Sequence, residues 1–296
     1  MADFRCGLVA LVGRPNVGKS TILNRIMGQK ISITSRRPQT TRHRILGIKT
    51  DEHSQIIFVD TPGLHTRQPR AMNRYLNRAA SDSLRDVDVV IFVVEGTRWL
   101  KDDDWVVEKL RRLKVPVILA VNKTDRINNR QTLLPQLEML AKKMNFSDLI
   151  PVSARVGDNL DMLERAVVRC LPASPPYYPD DQVTDRSERF LAAELVREKL
   201  FRRLGEELPY GLTVEIERVK EERNVLHIHA LIWVEKSSQK PIVIGRKGER
   251  LKQIGRDARI DMEKMFGHKV FLQLWVKIKE GWADDDRALR SLGYDS

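Results

Sequence analysis

The stretch GRPNVGKSTILNRIMGQK, residues 13–30, decides how the first half of this 296-residue chain folds. Gly13-Arg14-Pro15-Asn16-Val17-Gly18-Lys19-Ser20 fits the pattern G-x-x-x-x-G-K-[ST]. An apolar run, CGLVALVG, precedes it, and from Thr21 onward apolar residues recur at helical spacing. A glycine-rich turn between a strand and a helix lets backbone N–H groups converge on phosphate oxygens at the positive end of the helix dipole. In that geometry Lys19 reaches the outer phosphates and the Ser20 hydroxyl ligates Mg²⁺. The run from Gly13 through Thr21 is therefore expected to hold nucleotide phosphates.

Three further strings follow, each at the end of an apolar run. Asp60-Thr61-Pro62-Gly63-Leu64 closes QIIFVD; Asn122-Lys123-Thr124-Asp125 closes VPVILAVNK; Ser153-Ala154 closes LIPVSA. Asp60 is suited to hold Mg²⁺ through water, and the Gly63 N–H to sense a γ-phosphate. The Asp125 carboxylate can accept two hydrogen bonds from guanine N1–H and its 2-amino group. Adenine lacks both donors, and sites built on such bonds discriminate by roughly 10⁴-fold or more. Lys123 is expected to lie over the base, and Asn122 to tie the loop to neighbouring backbone. The nucleotide is expected to be GTP or GDP.

The same strings set the fold. Five apolar strands (CGLVALVG, QIIFVD, VDVVIFVVEG, VPVILAVNK and LIPVSA) alternate with helical stretches, which implies an α/β layer with a mostly parallel sheet covered on both faces. At LPASPPYYPDD four prolines fall within eight residues, a stiff spacer that supports neither helix nor ladder. The expected boundaries are 1–171 for the nucleotide domain, 172–186 for the linker, 187–280 for a second domain and 281–296 for a tail. Beyond the linker the order is helix, strand, strand, helix, helix, strand: a smaller α+β domain.

Within it, PIVIGRKGER (241–250) carries G-x-x-G with two basic residues between the glycines. That is how a KH module presents RNA, with the backbone approaching nucleotides and basic side chains meeting phosphates. Ile244, Gly245, Arg246, Lys247, Gly248, Arg250 and Lys252 are the expected RNA contacts. They fall inside 236–259, where eight basic and two acidic residues stand.

Composition bounds the rest. The formal charge of +12 suits a polyanionic partner. The longest apolar runs are too short to span a bilayer, and the N-terminus lacks a signal-peptide pattern. Cys6 and Cys170 lack metal-site spacing and read as reduced thiols of a cytoplasmic protein. The basic residues of RSERFLAAELVREKLFRRL are expected on a solvated face, with an anionic membrane surface as the competing reading. Arg36, Arg37, Arg42 and Arg44 are expected in a solvated loop. His227 and His229 share a strand face without a nearby metal partner, and Trp233, Trp275 and Trp282 are expected to be packing residues.

GRPNVGKS, QTTRH, DTPGLH, NKTD and SAR resemble, in order, the five motifs of Ras-like translation-factor-type GTPases. That resemblance implies that Thr41 meets Mg²⁺ and γ-phosphate, with Thr40 the competing assignment, and that 31–45 and 63–75 are nucleotide-sensing switch segments. Ser20, Thr41 and Asp60 are then the Mg²⁺ set, and Lys19, Thr41, Gly63 and Asn16 the catalytic set. Leu64 departs from the pattern, since Ras-type enzymes place a water-orienting glutamine there. A partner's group, reliance on Mg²⁺, Lys19 and backbone, or a potassium ion held through Asn16 are the three alternatives, and slow intrinsic turnover is expected.

With the second domain included, the whole chain resembles the Era family, KH-domain GTPases of bacterial ribosome assembly. KISITSRRPQTTRHRILGI, VDTPGLH, VIFVVEGTRW, VIGRKG and QLWVKIKEGWADDDRALRSLGY carry that likeness. It implies a GTP-driven switch that binds small-subunit ribosomal RNA near its 3′ end during 30S maturation. It also implies some peripheral association with the inner face of the cell membrane. The chain is expected to be a monomer without a role on DNA. The rival readings are a signalling GTPase with a protein or membrane output, and an RNA-binding protein whose nucleotide only stabilises the fold.

Overall fold

Strand β1 (Arg5–Val12) runs through the middle of a six-stranded sheet because its side chains are apolar on both faces. Val9 and Leu11 point to one helical layer, Ala10 and Val12 to the other. The computed structural model describes residues 4–64, 71–96, 98–127, 131, 133–205, 208–292 and 294. Residues 65–70, part of the expected switch at 63–75, lie outside the described residues.

After β1 come α1 (Lys19–Ile26), β2 (Ile45–Thr50), β3 (Ser54–Asp60), α2 (Ala71–Asp82), β4 (Val89–Glu95), α3 (Lys101–Leu110), β5 (Val117–Asn122), α4 (Leu133–Ala141), β6 (Asp148–Pro151) and α5 (Leu160–Cys170). The sheet order is β2-β3-β1-β4-β5-β6, parallel throughout except that β2 pairs antiparallel with β3. Side chains of α1 and α5 fill one face of the sheet; those of α2, α3 and α4 fill the other. Strand β2 is the one that the apolar runs of the sequence did not show: its ILGIKT follows a run of arginines and it is an edge strand.

The chain divides into two compact units. The first holds Met1–Ser32, Thr41–Gln68 and Leu76–Asp185; the second holds Ile33–Thr40, Pro69–Tyr75 and Arg186–Ser296. The proline-rich stretch is no free spacer. Cys6 N donates to Pro172 O, Ser174 N to Phe4 O, and Ile48 N to Val183 O, while the Thr184 hydroxyl donates to Leu46 O. Its end, residues 183–185, borders β2 and covers part of an edge that would otherwise stay open.

The second unit contains α6 (Glu188–Arg203), β7 (Leu212–Glu222), β8 (Val225–Val234), α7 (Gln239–Ile244), α8 (Glu249–Phe266), β9 (Lys269–Ile278) and α9 (Asp286–Ser291). Its sheet is β7-β8-β9, with β8 antiparallel to β7 and parallel to β9. Leu226, Ile228, Ala230, Ile232 and Val234 of β8 pack with α6 and α8 on one face. Period-2 alternation sends His227, His229, Leu231 and Trp233 to the other.

Two expectations fail in this unit. The basic residues of α6 are not all solvated: Arg197 is buried and bonded to Glu194 (2.6 and 2.7 Å), and Lys199 is buried between Glu198 and Asp261. A buried guanidinium must be paired and hydrogen-bonded, and local periodicity does not show that partner. The arginines of the first switch are not a uniformly solvated loop either. Arg42 is fully buried, and Arg37 donates to Leu204 O and Gly205 O. Cys6 is buried and Cys170 half-buried, both as free thiols.

Candidate nucleotide and RNA sites

The phosphate loop and the turn against it owe their shape to three glycines that have no room for a side chain. A Cβ on Gly13 would lie 2.3 Å from Val93 O; on Gly18, 2.2 Å from Asn122 Nδ2; on Gly63, 2.7 Å from Pro15 Cα. Gly13 and Gly18 also have φ of +150° and +107°, and Asn16 takes the left-handed region at +65°. Lys19 is buried beneath the loop, and its Nζ donates to Gly13 O (3.0 Å) and Arg14 O (3.1 Å). Burial pushes its pKa down from 10.5 to about 8, only partly opposed by the Asp60 carboxylate. Val17 is buried in the core, while Thr21 is half-buried on the first turn of α1.

The Arg14 guanidinium turns away from this loop. It bonds Asp103 (3.2 Å) and Glu95 (3.1 Å), so only its backbone serves the loop. Neither carboxylate carries a motif signal.

Beside Lys19 a cluster of oxygens converges. Asp60 is fully buried at the end of β3, and its Oδ2 accepts from Ser20 Oγ (2.6 Å), Ser32 Oγ (2.7 Å) and Thr41 Oγ1 (3.4 Å). Ser20 Oγ and Thr41 Oγ1 lie 2.9 Å apart. Asp60 Oδ1 is buried without a hydrogen-bond partner, and burial raises the carboxyl pKa above its ordinary value despite those three hydroxyls and Lys19. A carboxylate and two hydroxyls are the oxygen donors that Mg²⁺ prefers, and an orphaned buried carboxylate oxygen suits a cation. The group fits. Thr40 points its hydroxyl to Ser35 Oγ (2.6 Å) and Arg37 O (2.8 Å), so of the two threonines it is Thr41 that joins Asp60. Ser32 belongs to the cluster too, though no motif marks it; Asn24 fixes its backbone through Ile31 N, Ser32 N and Ser32 O. Thr61 ties its hydroxyl to Leu11 O (2.9 Å). Leu64 is fully buried in the apolar layer between the sheet and α2, α3 and α4, so no polar side chain stands at the water-orienting place.

At the end of β5, Asn122 bridges two loops: Nδ2 donates to Val17 O (2.8 Å) and Oδ1 accepts from Ala154 N (3.0 Å). Lys123 takes a left-handed backbone and pairs with Glu95 (3.3 Å). The Thr124 hydroxyl donates to Val152 O (3.0 Å), and Asp125 accepts from Ser153 Oγ (2.6 Å). This joins Asn122-Lys123-Thr124-Asp125 with Ser153-Ala154 at one end of the sheet, beside the phosphate loop. Parallel sheets bind ligands at the carboxyl ends of their strands.

In the second unit, the G-x-x-G turn links α7 to α8. Gly245 (φ +76°), Lys247 (+49°) and Gly248 (+80°) all lie at positive φ. Arg246, Lys247 and Lys252 are exposed, and Ile244 packs against the core below them. Arg250 donates to Ile242 O and braces the turn. A Cβ on Gly248 would meet nothing within 4 Å. The helix α8 begins directly after it, without a side-chain cap on its N-terminus.

A phosphate loop, a guanine-type specificity string and a carboxylate–hydroxyl cluster on a mixed sheet define a P-loop GTPase, here joined to a KH domain. Residues 8–123 match the family model described as "50S ribosome-binding GTPase", and 207–283 match the KH domain model. The chain is 63% identical over 98% of its length to GTPase Era of Marinobacter nauticus, covering 95% of that protein. It is 60% identical to GTPase Era of Pseudomonas aeruginosa, over 99% of this chain and 96% of that one. A solved structure of an Aquifex aeolicus Era variant bound to GDP·AlF4⁻ superposes with a TM-score of 0.96 at 38% identity, covering 99% of this chain and all of that one. The same values hold for Era in complex with MgGDPNP and nucleotides 1506–1542 of 16S ribosomal RNA. The chain belongs to the Era family of GTPases. Among the described residues, no helix is long and apolar enough to cross a membrane.

Proposed function

We propose that this GTPase binds small-subunit ribosomal RNA near its 3′ end through the KH domain and assists assembly of the 30S subunit, with GTP hydrolysis timing its release. The observation that carries this reading is the full-length likeness to Era solved with MgGDPNP and a 16S ribosomal RNA segment. The exposed Arg246 and Lys247 on a turn with open space at Gly248 support it.

In this reading residues 1–171 are the GTPase domain, 172–186 the proline-rich linker, 187–280 the KH domain and 281–296 a tail. Guanine is read by Asp125, with Lys123 over the ring and Asn122 holding both loops. Phosphates lie in the loop Gly13 to Thr21, where Lys19 leaves its carbonyl partners to meet them. Ser20, Thr41 and Asp60 hold Mg²⁺, which neutralises phosphate charge. The Gly63 N–H and Thr41 sense the γ-phosphate. With Leu64 apolar, intrinsic turnover is slow, and Asn16 takes K⁺ beside the phosphates; equal rates in K⁺ and Na⁺ buffers overturn that point.

A nucleotide-dependent RNA response is supported by where the first switch belongs. Residues 33–40 are part of the second unit, where Arg197 donates to Thr40 O (2.6 Å), Glu198 accepts from Thr34 N (2.9 Å) and Arg202 donates to Thr34 O (3.2 Å). Thr41, the next residue, is part of the first and joins Asp60. The protein works in the cytoplasm as a monomer, with peripheral attachment to the inner face of the membrane; light scattering and vesicle co-sedimentation check these two points.

The test is binding of a 3′-terminal small-subunit ribosomal RNA fragment, against a scrambled control, with a non-hydrolysable GTP analogue, GDP or neither, at fixed ionic strength. Selective binding that is tightest with the analogue is expected. Equal binding in all three states removes the switch, and absence of selectivity removes the RNA reading.

A further inference from the structure

The open face of the KH sheet is built unlike an ordinary solvated sheet surface. Along β9 the outward residues are Lys269, Phe271, Gln273, Trp275 and Lys277, a column that carries no carboxylate. Phe271 and Trp275 are 46% and 41% exposed, among the most exposed large apolar side chains described. The sequence-based expectation that Trp275 packs inside therefore fails, whereas Trp282 is fully buried.

The neighbouring strand extends the surface. His227 stands opposite Phe271, with ring centroids 5.2 Å apart, and His229 lies 5.4 Å from Trp275 in an edge-on arrangement. Further along, Trp233 sits opposite Lys277, whose ammonium is 5.9 Å from its ring. On β7, Lys220 pairs across from His227 and Arg218 from His229, both exposed. Acidic groups stand at the β7 side: Glu215 accepts from the Trp233 indole, and Glu222 pairs with Lys220. Glu217 lies 3.6 Å from Lys277. The result is a set of rings held side by side on a rigid sheet and bordered by cations. The His227/His229 pair serves this surface as ring area; among the described residues no metal-type cluster forms.

We propose that this face is a second RNA surface, on which unpaired bases stack against Phe271, Trp275 and the two histidines while Lys269, Lys277, Arg218 and Lys220 meet phosphates. Exposed rings in register with cations are the combination that single strands recognise, because every base offers a π-face and every nucleotide a charge. A purely apolar partner would make no use of the cations that border the rings, and an anionic lipid surface would make no use of rings held in register on adjacent strands. Helix α8, which follows the G-x-x-G turn, packs on the opposite face of this sheet. The platform is thus a contact additional to the turn, and it extends the length of RNA the domain covers. The inference rests on the RNA-binding reading above.

The full-length protein, loaded with a GTP analogue, is photo-crosslinked to a single-stranded RNA carrying 4-thiouridine, and the crosslinked residues are mapped. Crosslinks at Phe271, Trp275 or His227 are expected in addition to those at 244–252, and they persist in Gly248→Asp at lower yield. Phe271→Ala with Trp275→Ala is expected to weaken RNA binding by about 5- to 100-fold, the loss of one or two stacked bases. Phe271→Tyr with Trp275→Phe, which keeps the rings, retains near-native affinity, and an unchanged thermal unfolding profile and circular dichroism report an intact KH domain. Crosslinks confined to 244–252, or full affinity in the double alanine variant, overturn the platform while leaving the turn's role standing. Lost binding to phosphatidylglycerol vesicles with intact RNA affinity overturns it in favour of a lipid surface. Crosslinks on the platform with none at the turn keep this inference and break the assignment of the turn.

Discussion

The two glycine loops of this chain solve opposite problems. In GRPNVGKS the glycines are needed because protein already occupies the space a side chain would take: Val93 O and Asn122 Nδ2 stand within 3 Å of the missing Cβ atoms of Gly13 and Gly18. In GRKG, Gly248 has nothing within 4 Å, and its φ of +80° alone sets its identity. One loop is closed in advance around a small charged group. The other is open at Gly248, although a Cβ on Gly245 would lie 2.6 Å from Arg250 Cβ. The same residue type thus marks preorganisation in one unit and accessibility in the other, and substitutions should separate the two.

The largest effect is expected at Gly13. An alanine there must move the Val93 carbonyl of β4 or the loop, and overpacking plus backbone strain together cost about 2–6 kcal/mol. Both the thermal midpoint and GDP affinity should fall together. A Gly13→Ala protein with native GDP affinity would break the contrast.

Next comes Lys19, whose burial is a stored electrostatic cost. Its pKa is 10.5 unfolded and about 8 folded, a displacement of about 3 kcal/mol. The sign follows directly. Between these values the unfolded chain holds the proton and the nucleotide-free fold does not, so stability from this group rises as pH climbs from about 8 toward 10.5. Bound phosphates restore the charge, so GDP binding near pH 9 should take up close to one proton and weaken as pH rises further. Calorimetry in buffers of different ionisation enthalpy measures that uptake, and Lys19→Met should abolish it. Absence of uptake in the native protein would mean that Lys19 is charged throughout.

Asn122→Ala is expected to cost about 2–3 kcal/mol, since it leaves the buried Val17 carbonyl and Ala154 N–H without their partner. Asn122→Asp keeps the acceptor for Ala154 N and should lose less of that linkage, though it brings a buried charge. Guanine-nucleotide dissociation rates and unfolding midpoints read both variants.

What the sequence displayed and what it hid divide along the same line. The phosphate loop, Asp60, the Asn122 string and the G-x-x-G turn are contiguous and chemically unusual, so each was legible locally, as was the change from strand–helix alternation to α+β. Partners joined through distant chain were not. Ser32 meets Asp60 across 28 residues, Arg14 meets Asp103 across 89, and Arg197 meets Thr40 across 157. Arg197 on α6 looks, by periodicity, like a solvated charge; only the fold supplies its burial and its carboxylate. Trp275 erred in the other direction, because period 2 says which face of a strand a ring joins but not which face a helix covers. The proline-rich stretch reads as a spacer for a similar reason, since its partners Phe4, Cys6, Gln55 and β2 all lie more than 120 residues away.

The smallest effect sharpens the opening contrast most. At Gly248 an alanine meets no neighbour, so only its left-handed backbone resists, at a cost of about 1–2 kcal/mol. Asparagine tolerates that conformation better, so Gly248→Asn should regain much of the stability while still placing a side chain where the proposed RNA site lies. Stability and RNA affinity should therefore part company: Gly248→Ala loses some of both, whereas Gly248→Asn recovers the unfolding midpoint without recovering affinity. If affinity returns together with stability, the glycine serves backbone conformation alone, and the open space above it is not where RNA lies. If affinity stays low, the missing side chain is itself the binding feature, and the two loops differ in kind.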